Sequence, residues 1–287
     1  MGEPMAANLA RAGFVVQSYD AAGKGNRKSV REAASGADAL VTMLPNGEVV
    51  REVVLEALPA LKPGAVVIDM SSSDPVGTRA LASALSPKNV ELVDAPVSGA
   101  VGKAKDGTLA LMIGGEKDVV QRVEPVLRAM GKELFHCGPL GAGHAVKALN
   151  NYLGAAGTIA GFEALLVAKA FGLEPQPMID AINASTGKNS TTERKIPQQI
   201  LTGAFGSGFK LALMAKDVGI AAGLASDLGL ETPYLRETLK LWRAAQRKLP
   251  AQADHTEMYR YLERLQTPSR AARARRSNFR RKRRRAK

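Results

Sequence analysis

The chain has 287 residues, 45% of them hydrophobic and 23% charged, with one cysteine. That length holds one large or two ordinary domains, and the mixture excludes collagenous, wholly disordered and disulfide-scaffold chains. The formal net charge is +13, but residues 267–287 (TPSRAARARRSNFRRKRRRAK) carry 11 Lys/Arg and no acid, which leaves only +2 on the first 266 residues. A self-repelling run of this kind buries almost nothing, so it is expected to be disordered and to offer nonspecific contact with nucleic acid or another polyanion. Cys137 has no cysteine partner and suits a reducing compartment. The most apolar stretch, 148–162, ends at Glu163 and is short for a bilayer, and no charged-then-apolar leader opens the chain. The expectation is a soluble, cytoplasmic protein with no membrane partner.

The chain opens with a small-residue helix over 4–12, punctuated by Pro4 and Gly13. Strands are then predicted at 14–19, 39–44, 65–70, 90–95, 109–114 and 134–137, with helices at 49–58, 77–84 and 119–130 between them. Several of these runs are almost continuously apolar, as strands covered on both faces are, so the spacing predicts a mostly parallel, doubly wound α/β sheet. From about Gly143 the pattern is helical only, with Val146, Leu149, Leu153, Ile159, Leu166 and Ala170 on a long helix. Further helices are predicted at 178–184, 196–202, 211–228, 233–245 and 256–265. The expected domains are 1–142, a Rossmann-like unit; 143–266, an all-helical substrate and dimerisation unit; and the basic tail 267–287.

Four places carry chemistry. Asp20 ends the predicted strand 14–19 and stands 18 residues after Gly2, the distance at which an acid meets a dinucleotide ribose if Gly2 closes a Gly-rich turn; an ordinary acidic turn residue explains it as well. Lys147 and Asn151 stand one above the other on a helix opened by the Gly-rich run 138–143, with a stripe of small residues (Gly154, Thr158, Gly161) beyond them. The bland alternative is a snorkelling lysine and a capping asparagine. Asp94-Ala95-Pro96-Val97-Ser98-Gly99-Ala100, Met43-Leu44-Pro45 and 69–75 all leave strand ends at the sheet edge where open α/β folds bind ligands, although Ser, Asp and Pro also make plain turns there. Lys216-Asp217 is a charged pair in an Ala/Leu-rich helix. The histidines and Cys137 show no metal-ligand spacing, and no serine, histidine and acid arrangement can be read along the chain.

Five ordered motifs, MGEPMAANLARAG (1–13), MLP (43–45), DAPVSGA (94–100), GPLGAGHAVKALNN (138–151) and FKLALMAKD (209–217), make the chain resemble the β-hydroxyacid dehydrogenases, the group of 3-hydroxyisobutyrate dehydrogenase, over residues 1 to about 266. The resemblance implies that Lys147 is the catalytic acid/base and that Asn151 stands beside it at the substrate. It implies that Ser98 and Gly99 hold the substrate carboxylate. Gly2, Leu44, Pro45, Ser72 and Lys216 would contact the cofactor. Asp20, where NADP-preferring relatives carry a basic residue, implies NAD in preference to NADP. The partner is then a small hydroxy acid or its semialdehyde, and the assembly a homodimer or homotetramer. Phe209, Thr186 and Asn189 are pocket liners by position. Two departures stand against this. The strand and earlier glycines that should precede Gly2 are absent from the sequence, and only one helix fits between Asp20 and Ala39. The alternative expectation is therefore an N-terminally truncated, catalytically impaired dehydrogenase-like scaffold.

Overall fold

The computed structural model describes residues 1–266; the expected disorder and polyanion contacts of 267–287 lie outside the described residues. Contacts divide the described chain into two compact units, one made of Met1–Leu153 with Lys216–Arg236, the other of Gly154–Ala215 with the described residues from Glu237 onward.

The first unit is built on a six-stranded sheet: β1 (Ala39–Thr42), β2 (Val66–Asp69), β3 (Glu91–Asp94), β4 (Val97–Ser98), β5 (Leu109–Gly114) and β6 (Gly131–Gly138). β1, β2 and β3 pair in parallel, with Thr42 opposite Asp69 and Asp69 opposite Asp94. β5 runs antiparallel to the end of β3 and to β4, and parallel to β6. Alternation sends β2 and β3 side chains to two faces. Val66, Ile68 and Val93 pack with Met5 and Leu9 of the helix Gly2–Arg11 and with Val123 and Leu127 of Lys117–Met130. Val67 and Leu92 pack on the other face with Val50 and Val54 of Gly47–Ala57 and Leu81 and Leu85 of Pro75–Leu85. Each such side chain contributes about 1.5–3 kcal/mol by leaving water, and two covered faces explain why the strands read as continuous apolar runs.

The strand expected at 14–19 does not form. Residues 14–20 carry no helix or strand and join no ladder, and among the described residues β1 pairs only with β2. A strand is defined by a neighbour, and an apolar run without one stays a connector. The interval from Asp20 to β1 holds one short helix, Val30–Ala34, capped by Ser29, whose Oγ accepts from Glu32 N.

The second unit is helical apart from an isolated bridge between Lys210 and Asp254. The helix expected at 196–202 is instead a π-helix, Thr191–Ile200, with Pro197 inside it. The helix Ala142–Phe171 does not stop at Glu163. Its 30 residues, with a mean hydropathy of 1.4 over an 18-residue stretch, are long and apolar enough by length and composition to cross a membrane, which corrects the expectation drawn from 148–162 alone. Part of that stretch is buried in the protein: Phe162 and Leu165 are core residues of the second unit, and Trp242 Nε1 donates to Ala155 O at 3.4 Å.

Candidate functional site

Because β1, β2 and β3 are parallel, their carboxyl ends deliver three loops to one edge of the sheet. Buried Asp69, at the end of β2, ties two of them. Its Oδ1 accepts from Thr42 Oγ1 (2.8 Å) and Ser71 N (3.0 Å), its Oδ2 accepts from Ser73 Oγ (2.6 Å), and Ser71 Oγ in turn accepts from Leu44 N (2.9 Å). The helices that follow start on caps: Asn46 Oδ1 accepts from Val49 N, and Asp74 Oδ2 accepts from Gly77 N, with Pro75 in the first turn. Leu44, Pro45 and Ser72 are thus held by side chains that the turn chemistry of the sequence supplies.

Asp94, at the end of β3, is wholly buried and reaches the start of the long helix. Its Oδ1 accepts from Gly141 N and its Oδ2 from His144 N, both at 2.7 Å. A carboxylate there satisfies two unpaired amides and complements the helix dipole. Gly143 lies so close that a β-carbon would overlap Met112 O and the Asp94 carboxylate, and Gly141 has φ +91°, which accounts for two of the three glycines of the Gly-rich run. His144 completes the anchor: Nδ1 is 2.9 Å from Thr78 Oγ1, and Nε2 lies 3.5 Å from Asp69 Oδ2.

One turn further along this helix, half-buried Lys147 is followed by buried Asn151. Asn151 Nδ2 donates to Asp217 Oδ2 at 2.6 Å. Lys216 Nζ lies 3.1 Å from Asp217 Oδ1 and donates to Ser72 O (2.7 Å) and Pro45 O (3.2 Å). The structure therefore brings Lys147, Asn151, Lys216, Pro45 and Ser72 together around Asp217. Burial pushes the Lys147 amine below its ordinary value; Asp217 pulls the other way, and Lys216 adds to the lowering. Lys147 has no ion-pair partner among the described residues.

Ser98 is half-buried and sits in β4 opposite Ala110; Gly99 follows with φ +137° and begins the helix Ala100–Asp106. Gly2 lies in the first turn of its helix, where a β-carbon would touch Met43 Cβ at 3.8 Å, so it adjoins the loop after β1. Asp20 fares differently. It is exposed, ends no strand, and its Oδ1 accepts from Ala22 N at 2.7 Å, which is the turn chemistry left open above. Sequence reasoning assigned no role to Asp69, Asp94 or His144. It quoted Asp94 within a motif, yet nothing along the chain says that a strand-end acid caps a helix 47 residues on.

A nicotinamide dinucleotide fits part of this set. At the sheet edge an ammonium, Lys216, spans the loops after β1 and β2 through Pro45 O and Ser72 O. The turn that holds Asp20 leaves one carboxylate oxygen for a ribose hydroxyl.

Two family models match the chain in order. Residues 1–138 match the model described as the NAD binding domain of 6-phosphogluconate dehydrogenase, and residues 141–262 match the model described as NAD-binding of NADP-dependent 3-hydroxyisobutyrate dehydrogenase. The chain is 36% identical over 234 residues to 2-(hydroxymethyl)glutarate dehydrogenase of Eubacterium barkeri, covering 77% of this chain and 78% of that one. It is 32% identical over 282 residues to NAD-dependent L-serine dehydrogenase of Pseudomonas aeruginosa, covering 92% and 95%. Among solved structures, Mycobacterium tuberculosis 3-hydroxyisobutyrate dehydrogenase with L-serine superposes with a TM-score of 0.85 at 33% identity, covering 91% of this chain and 95% of that one. Two matched domains in order, and relatives that span nearly the whole described chain, place it in the β-hydroxyacid dehydrogenase family of NAD-dependent oxidoreductases.

Proposed function

We propose that this chain interconverts a small 3-hydroxy acid, of the size of 3-hydroxyisobutyrate or serine, and its semialdehyde with NAD, and that Lys147 is the general acid/base. The observation that carries the reading is a half-buried amine with a lowered proton affinity, one helical turn from an asparagine fixed by Asp217.

NAD, when bound, would supply the hydride acceptor or donor. Leu44, Pro45, Ser72, Lys216 and Gly2 are the residues that would hold the dinucleotide, with Asp20 toward its ribose. Ser98 and Gly99 are read as the seat of the substrate carboxylate, with the half-buried Ser98 hydroxyl as donor; the side of Gly99 where a Cβ would stand is occupied by the Lys103 side chain. With the acid held there, Lys147 takes the hydroxyl proton during oxidation and returns it during reduction. Asn151, its amide oriented by Asp217, is placed to hydrogen-bond the same oxygen. A carboxylate at Asp20 favours NAD over a dinucleotide bearing a ribose phosphate.

A homodimer or homotetramer is supported by the long helix, which carries two exposed i, i+4 pairs, Leu149/Leu153 and Val167/Phe171. We read the helical stretch 143–266 as the seat of both oligomerisation and substrate selection, although its residues 143–153 and 216–236 pack in the first unit. A free Cys137 is consistent with a cytoplasmic setting. The test is steady-state turnover of the full chain with NAD and a panel of 3-hydroxy acids, L-serine and 3-hydroxyisobutyrate included. The reading requires turnover that disappears in Lys147→Ala while NAD affinity is kept; turnover by that variant at the parent rate removes Lys147 from the reaction.

A further inference from the structure

The second unit contains a cluster for which the dehydrogenase reaction has no use. Ser190, Arg194, Lys195, Gln198, Gln199 and His255, together with Ser207, line a cavity of about 230 Å³. Five of these come from one stretch because it is a π-helix, or stands at its cap: i→i+5 turns stack Lys195 over Ser190 and Gln199 over Arg194, so that one face gathers them.

The charges in this cavity do not balance within the protein. Lys195 Nζ donates to Thr158 Oγ1 at 2.6 Å and to Thr191 Oγ1 at 3.5 Å, both neutral hydroxyls, and Thr158 Oγ1 in turn donates to Gly154 O. No carboxylate lies within ion-pair distance of Lys195 or Arg194 among the described residues. The two nearest acids are already committed. Asp254 accepts from Ser207 Oγ, Gly208 N, Phe209 N, Thr256 N and Thr256 Oγ1, and Glu193 pairs with Lys188 at 2.9 Å. Burial and the neighbouring Arg194 push the Lys195 ammonium down to about 8, Asp254 pulling the other way without reaching ion-pair distance. His255 is pushed down to about 4 by burial and by Lys195, so near neutral pH it lines the cavity uncharged.

We propose that this cavity is an oxyanion-binding site, separate from the Lys147 centre, which takes a small carboxylate or phosphate between Arg194 and Lys195 with the Ser190 and Ser207 hydroxyls and the Gln198 and Gln199 amides as further donors. An oxyanion supplies the charged acceptor that neither cation has within ion-pair distance among the described residues, and charge-assisted bonds of this kind are about twice as strong as neutral ones. The volume suits a small ion with a few waters and is too small for a nucleotide. Ser207, Asp254 and His255 meet in space, a juxtaposition that their spacing along the chain does not reveal. Here the serine bonds directly to both partners, Ser207 Oγ lying 2.9 Å from His255 Nδ1 and from Asp254 Oδ2. The hydroxyl is therefore a bridge between the two and no relay runs through the imidazole.

The test is calorimetric titration of the full chain, without NAD, using inorganic phosphate in one arm and malonate in another, with chloride as the ionic-strength control. The expected result is saturable binding of one or both, which identifies the preferred source. Affinity should fall about tenfold or more in Lys195→Gln and in Arg194→Gln, and stay at the parent value in Lys147→Ala. Arg194 is exposed, so its variant folds even where loss of Lys195 disturbs packing; circular dichroism verifies this. Absence of binding up to about 10 mM in both arms, parent affinity in Arg194→Gln, or loss of binding in Lys147→Ala would each overturn the proposal. The last outcome would mean that the ion sits at the Lys147 centre. Because Lys147→Ala abolishes turnover and spares this site, failure of the dehydrogenase reading and failure of this one are distinguishable.

Discussion

Asp217 holds Asn151 through a 2.6 Å hydrogen bond from Nδ2 to Oδ2, while its other oxygen faces the Lys216 ammonium at 3.1 Å. One carboxylate thereby fixes the amide beside Lys147 and the lysine that clamps the loops after β1 and β2. Lys147 itself has no ion-pair partner among the described residues, and burial keeps its proton affinity low.

Lys147→Ala should lower kcat by about 10²–10⁴, the usual worth of a positioned acid/base, with NAD affinity unchanged. In the parent, oxidation should rise with pH through a group titrating below the 10.5 of a free lysine. Reduction, which needs the protonated amine, should fall through the same value. Rate profiles in both directions check this.

Asp217→Asn removes the charge that supports the Lys147 ammonium while leaving Lys216, which disfavours it. The rise of oxidation rate with pH should therefore move to lower pH. A profile that stays in place or moves upward would contradict the assignment of Asp217 as the charge felt by Lys147.

Asp94→Ala leaves the amides of Gly141 and His144 buried without an acceptor. Each loss of a bond to a charged group costs about 1.5–3 kcal/mol, so unfolding in urea should show a loss of about 3 kcal/mol or more. The start of the Lys147 helix should loosen with it.

His255 has a folded-state proton affinity near 4 against an ordinary 6.5. Below pH 6.5 the unfolded chain takes up a proton that the folded chain refuses, so stability should fall as pH drops from about 6.5 to about 4. His255→Asn should flatten that slope, which denaturant midpoints across the window will reveal.

Much of the sheet was legible because apolar runs of strand length alternate with amphipathic helices. The runs predicted at 39–44, 65–70, 90–95 and 109–114 contain β1, β2, β3 and β5. The run 14–19 failed for want of a ladder partner, and two-residue β4 is too short for a pattern. Lys147 and Asn151 were legible as helical neighbours four residues apart. The Asn151–Asp217 and Asp94–Gly141 bonds were not, because they join positions 66 and 47 residues apart and only the folded topology brings these together. The cluster of Lys195, Ser207 and His255 was hidden for the same reason. It was hidden also because a π-helix shifts the period on which residues share a face.

β1 has β2 on one side and, among the described residues, no ladder on the other. Its outward amides are the least protected of the parallel strands, so deuterium should enter the sheet there first, well ahead of β2 and β3. The loop that carries Leu44 and Pro45 hangs from this margin, and its stiffness rests on the Ser71 and Lys216 contacts more than on the strand that delivers it.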